Sequence, residues 1–136
     1  MVQPDYRLVI AVIAPLLVWP YLPAWDGAFL EGGTVSAMVL FTLIPVAEEV
    51  LFRGFLQGGL LARDRYKHIT AGFSRANWLT SIAFACAHLW QHPLTLVPGY
   101  FAVSLVLGYF RERYGGILVP VLLHSYYNLG LLFFSG

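Results

Sequence analysis

Charge is what this chain has least of: only 11% of its 136 residues are Asp, Glu, Lys or Arg, against about 25% in an ordinary soluble domain. A domain this small leaves much of its surface in water and must coat it with polar groups. With 59% of the residues apolar, the composition rules out a disordered tail, argues against a water-facing globule and makes the lipid bilayer the natural solvent. Eight Lys plus Arg stand against seven Asp plus Glu, a net charge of +1. That is too little basic excess for a nucleic-acid binder, whose affinity depends on it. The single cysteine, Cys86, excludes an internal disulfide and any multi-cysteine metal site, and it reads as a small packing residue. Linkers, low-complexity runs and 20–50-residue repeats are also missing, so residues 1–136 read as a single membrane domain.

What is abundant is apolar sequence, 59% of the chain, and the few charges fall in patches that divide it into spans. The first span covers about 8–22 and stops at Pro20 and Pro23. It reads as a retained helix and not a signal peptide, because only Arg7 stands before it as a basic residue and no small-residue cleavage pattern follows. The second begins after Gly32-Gly33 and continues past Pro45 to about Leu61. A helix of that length exceeds a roughly 30 Å hydrocarbon core, so it must tilt, kink at Pro45 or extend beyond the membrane. Three more spans cover about 78–90, 94–110 and 117–134. The expected fold is all-α, a polytopic transmembrane bundle of about five helices.

Orientation follows from the basic residues, which concentrate in cytoplasmic loops. Arg63, Arg65, Lys67 and Arg75 share one loop, and Arg111 and Arg113 another. With five spans both loops fall on the side of Arg7, whereas the opposite loops carry Asp26 and Glu31, or only Gln91 and His92. The N-terminus is expected inside and the C-terminus outside. Trp19, Trp25, Trp78, Trp90 and Tyr114 suit an aromatic belt, His68 and His92 suit interfacial exposure, and Gly54, Gly58 and Gly59 suit close helix contacts.

Three charges, Glu48, Glu49 and Arg53, lie inside an apolar span, where each costs several kcal/mol on the mildest scales. Glu49 and Arg53 are four apart with Glu first, the favoured ion-pair order, while Glu48 is rotated by about 100° and needs another partner, a proton or water. A purely structural network would explain the ion pair, though buried pairs stabilise poorly compared with apolar packing. Further polar residues point to chemistry: His88 lies in the third span, and His124 and Asn128 project from one face of the fifth, one turn apart. Counted from expected cytoplasmic ends at Leu61, Trp78 and Ile117, Glu48, His88 and His124 lie roughly 20, 15 and 11 Å deep. Span ends are loose enough for the three to share one layer and converge on a water-filled pocket.

Glu48-Glu49-Val50-Leu51-Phe52-Arg53, Phe84-Ala85-Cys86-Ala87-His88 and His124-Ser125-Tyr126-Tyr127-Asn128 resemble the three motifs of the CPBP intramembrane proteases, the CAAX-protease and bacteriocin-processing (Abi) proteins that include the eukaryotic prenyl-protein endoprotease. The match covers a protease core of about 38–132. The resemblance implies a glutamate-dependent endopeptidase of a bacterial or archaeal cell membrane, with lipids around it and a membrane-associated peptide or protein as substrate. It implies that Glu48 and His88 activate water, that His124 and Asn128 hold the oxyanion, and that Glu49 and Arg53 support them. Those residue types suit these tasks. One span precedes the first motif where many members of the family carry more, which bears on substrate gating and raises the prospect of self-association.

Glu48, His88 and His124 also offer one carboxylate and two imidazoles, a set that suits zinc with an open position. The chain lacks an H-E-x-x-H helix, and the expectation is a mechanism with no cofactor, a zinc-dependent version being the runner-up. The non-enzymatic alternative is a membrane scaffold or bacteriocin-immunity protein with the same fold. Proton or ion transport ranks last, because no other intramembrane acid marks a conduction path.

Overall fold

The computed structural model describes residues 5–21, 33–90 and 92–134. Asp26, Glu31 and Gln91, which entered the orientation count, and Trp25 lie outside the described residues. Among those described, five helical stretches follow one another. The first helix is Tyr6–Val18, continued by a 3-10 turn Trp19–Tyr21. The second covers residues 33–61 with α-helical and π-helical turns in alternation. The third is Arg75–His88, the fourth Val97–Tyr114 and the fifth Leu118–Phe134. The all-α expectation holds with one addition: the basic loop carries a hairpin of two short strands, β1 (Ile69–Thr70) and β2 (Phe73–Ser74), antiparallel, with Ile69 opposite Ser74. Leu94–Tyr114, 21 residues long, is one stretch both long and apolar enough to cross a membrane, while the apolar Tyr6–Tyr21 is shorter.

The chain divides into two compact units, residues 1–46 with 121–136, and residues 47–120. In the first unit a proline decides the packing. Pro15 has no N–H, so the carbonyl of Ala11, four residues earlier, loses its helical donor. The Tyr127 hydroxyl donates to that carbonyl at 3.0 Å, and the Tyr126 hydroxyl donates to the next one, of Val12, at 2.8 Å. Trp19 completes the clamp. Its backbone N–H closes the helix on Pro15, and its ring meets Tyr126 edge-on at 5.1 Å and lies against Gly130, where a Cβ would fall on the indole. Trp19 is therefore a core residue, only 3% exposed, and not part of an aromatic belt.

Further along the same unit, the expected disturbance at Pro45 takes the form of a widened turn. Val39–Leu43 is π-helical, and the Ile44 N–H reaches back five residues to Val39. Widening the turn just before a residue that lacks an N–H relieves the clash between its ring and the preceding carbonyls.

In the second unit the third and fourth helices form the centre. Ser74 caps the third by accepting from the Asn77 N–H at 3.0 Å, and the fourth ends on Gly115 in the left-handed region. The hairpin turns through Ala71 and Gly72, both with positive φ, as a two-residue loop requires. The helices approach closely at Gly108, where a Cβ would fall on the Asn77 amide. That close contact was expected at Gly54, Gly58 and Gly59. A Cβ at Gly54 or Gly58 would meet only ordinary van der Waals neighbours, and one at Gly59 would meet open space.

The helix clamp yields a measurable coupling. Tyr127→Phe is expected to cost about 1 kcal/mol by stranding the Ala11 carbonyl, and close to nothing in a Pro15→Ala background where residue 15 again donates to it. Denaturant titration of the detergent-solubilised protein, followed by circular dichroism, measures both. Equal costs in the two backgrounds would break the link between the proline and the tyrosine.

Candidate active site

The second unit keeps its polar groups inside. Glu49, Arg53 and Gln57 recur every four residues along the second helix, and all are 0% exposed. Facing them on the fourth helix, Ser104, Gly108 and Glu112 recur at the same interval. Arg53 Nη2 donates to the Ser104 hydroxyl at 2.8 Å and to its carbonyl at 3.1 Å. Gln57 Nε2 donates to the Gly108 carbonyl at 3.0 Å and to Glu112 Oε1 at 2.7 Å, and the Ser74 hydroxyl donates to the same oxygen at 2.5 Å. Arg111 Nε returns a bond to the Arg53 carbonyl at 3.2 Å. The ladder joins two helices through side chains that are fully buried at Glu49, Arg53, Gln57 and Ser104 and part-buried at Arg111 and Glu112.

At the top of this ladder the expected ion pair is present, with Arg53 Nε 3.1 Å from Glu49 Oε2. The approach lies off the N–H direction, so the contact is Coulombic and not a hydrogen bond. Glu48 is half-buried, and its charge also acts on Arg53. Both glutamates end the α-helical turns Ile44–Glu49, and the π-helical stretch Val50–Gln57 begins directly after them. Wide turns of this kind occur often at functional sites.

His88 closes the third helix, and its Nδ1 lies 2.8 Å from the Phe84 carbonyl. A carbonyl only accepts, so Nδ1 carries the proton and, in the neutral ring, Nε2 is left as the acceptor. The spacing F-x-x-x-H accounts for this, since it puts the carbonyl of the Phe one turn below the imidazole. The Phe84 ring serves too. Its centroid is 4.8 Å from the Arg53 guanidinium on one side of the chain of contacts and 4.4 Å from the His88 ring on the other. The ion pair thus reaches the imidazole through a single aromatic ring.

Two residues near His88 escaped the sequence reasoning. Tyr100 of the fourth helix stacks on His88 with centroids 4.3 Å apart, and His92 lies 5.0 Å from Tyr100 and 6.0 Å from His88. The charge of Glu48 acts on both His92 and Tyr100, which brings Glu48 and His88 into one neighbourhood. Burial holds the His92 imidazole below the ordinary histidine range, helped by His88 and opposed by Glu48. His92 is half-buried against these rings. A signal was available: His92 falls four residues after His88, the same interval that separates His88 from Phe84.

The other two motif residues stand in the first unit. His124 is 6% exposed and Asn128 half-buried, one turn apart on the fifth helix, and between them Tyr126 and Tyr127 hold the first helix. Cys86, expected in packing, is exposed. Among the described residues no three His, Cys, Asp or Glu side chains gather as a metal site requires.

Residues 31–130 match the family described as type II CAAX prenyl endopeptidase Rce1-like. The chain belongs to this family. It is also similar to an uncharacterized 24.3 kDa protein of Escherichia coli, with 36% identity over 104 residues, covering 73% of this chain and 44% of that protein. The chain therefore spans less than half the length of that relative. No solved structure matches it.

Arg53→Met alone leaves Glu49 buried without its cation and is expected to cost about 3 to 5 kcal/mol, whereas Glu49→Leu combined with Arg53→Met restores most of the loss. Unfolding midpoints in detergent compare the variants. A double variant as unstable as the single one would show that the pair is held for reasons other than charge compensation.

Proposed function

We propose that this chain is a multi-pass membrane endopeptidase that hydrolyses a peptide bond in a membrane-associated peptide or protein by general-base catalysis, without a metal. The observation that carries the reading is His88, fixed through Nδ1 so that Nε2 accepts, in the neighbourhood of Glu48 and backed by a buried ion pair. Glu48 accepts a proton from the attacking water while His88 Nε2 orients it. The water oxygen bonds to the carbonyl carbon, and the C–N bond breaks as the proton passes from Glu48 to the leaving amine. The His124 imidazole N–H and the Asn128 amide are assigned, by their place in the third motif, to donate to the oxyanion. The metal-free version is preferred because the chain lacks an H-E-x-x-H helix, and a zinc-dependent version would draw its donors from Glu48, His88 and His124.

The membrane setting draws support from an inverted distribution of polarity. Glu49, Arg53, Gln57, Asn77, Thr80 and Ser104 are at most 1% exposed, while Leu51 is 57%, Phe55 74%, Leu17 72% and Leu122 61% exposed. Water would favour the reverse, and lipid favours this. With Arg63, Arg65, Lys67 and Arg75 in one loop and Arg111 and Arg113 in another, the N-terminus lies on the cytoplasmic side.

The test is a comparison of protein termini in membranes of cells carrying the parent chain, Glu48→Gln or no protein. New termini are expected with the parent only, and His124→Ala and Asn128→Ala are expected to lower cleavage of the identified substrate about 10²- to 10³-fold. Full cleavage by Glu48→Gln would refute the general-base assignment. Activity lost to a chelator and restored by zinc would replace it with the metal-dependent version, and a cellular effect that survives Glu48→Gln with no new termini would mark a scaffold.

A further inference from the structure

The rings around His88 form a series that runs beyond the three motifs. From the third helix Phe84 lies 4.4 Å from the imidazole, and from the fourth helix Tyr100 lies 4.3 Å from it at an interplanar angle of 26°. His92 then meets Tyr100 at 5.0 Å. The Nδ1 contact to the Phe84 carbonyl fixes one atom of the ring, but an imidazole held at one point still swings about that bond. A second restraint is needed to aim Nε2, and stacked faces supply one that does not compete for its lone pair.

We infer that Tyr100 is a positioning residue for His88, and that His92, 6.0 Å from His88 and 5.0 Å from Tyr100, acts beside it by holding the Tyr100 ring in place. The inference rests on the reading of His88 as the group that orients the attacking water. The local chain path accounts for the arrangement. Pro93 disfavours helix at His92 and ends the third helix region, a 3-10 turn Leu94–Leu96 reverses the chain, and the fourth helix returns Tyr100 to the level of His88. The Tyr100 ring is the part that acts, so a phenylalanine preserves the function. A leucine of similar bulk does not.

The test uses the full chain in detergent micelles, with histidine-selective NMR as one arm and cleavage of the peptide identified from membrane termini as the other. In the parent, the His88 ring protons are expected upfield of an unstacked histidine, because they lie over an aromatic face. Tyr100→Leu is expected to remove that shift and lower kcat about tenfold or more with KM little changed, as loss of alignment does. Tyr100→Phe is expected to keep both the shift and kcat, and His92→Phe, which conserves a ring beside Tyr100, to stay closer to the parent than His92→Ala. Circular dichroism and unfolding midpoints check that each variant is folded. The inference is overturned if Tyr100→Leu leaves the His88 protons in place, if it moves them while kcat is unchanged, or if Tyr100→Phe is as impaired as Tyr100→Leu. Should Glu48→Gln cleave like the parent, the protease reading falls by itself, and the ring-proton shifts still decide whether Tyr100 and His92 orient His88.

Discussion

The Glu49–Arg53 pair is the interaction on which the second unit depends. Each charge would be expensive in a medium without water, and neither is matched by charge alone. The guanidinium meets Glu49 through Nε, donates twice to Ser104 through Nη2 and lies over the Phe84 ring. One side chain thereby joins the second, third and fourth helices. Lysine has neither the flat face nor the fork of donors to do the same. The pair also sets the depth of the ladder below it, where Gln57 and Glu112 continue the same two facing rows.

The first unit solves a related problem with backbone groups. A carbonyl stripped of its partner by Pro15 is costly wherever water is excluded, and the phenol of Tyr127 replaces the missing N–H. Because Tyr126 and Tyr127 occupy the two positions midway between His124 and Asn128, the motif residues and the clamp share one short stretch of the fifth helix without sharing a side chain. The spacing H-x-x-x-N leaves room for this, since position 126, two residues on, points away from the face that carries His124 and Asn128, and position 127 lies at the edge of that face, about 60° from His124.

Much of this was legible in sequence because the scarcity of charge made each buried charge conspicuous. The helix boundaries at Leu61, His88 and Phe134 fall within about two residues of those expected from hydropathy. The pairing of Glu49 with Arg53 followed from a spacing of four. The π-helical turns were not legible, because they depend on which carbonyl each N–H reaches, and residue periodicity does not encode that choice. The Gln57–Glu112–Ser74 cluster was missed for a different reason: uncharged or interfacial residues carry no warning in composition, although their four-residue recurrence opposite Ser104, Gly108 and Glu112 was present. Hairpin strands of two residues are too short for any alternation to show. Trp19 was misplaced because an aromatic ring near a span end is ordinarily interfacial, and only the missing side chain of Gly130 reveals the space that receives it.

The two adjacent glutamates acquire different roles from helical geometry alone. Turned about 100° from each other, they serve different directions: Glu49 pairs with Arg53 in the buried ladder, while Glu48 is half-buried and its charge reaches His92 and Tyr100 as well as Arg53. The Glu49 carboxylate is still linked to His88, because Arg53 rests on Phe84, and Phe84 supplies both the carbonyl and one of the rings that hold the imidazole. The first two motifs are thus one mechanical unit in which the arginine of the first sits on the phenylalanine of the second. A change in either is therefore felt at the His88 ring, whose other face meets Tyr100 of the fourth helix.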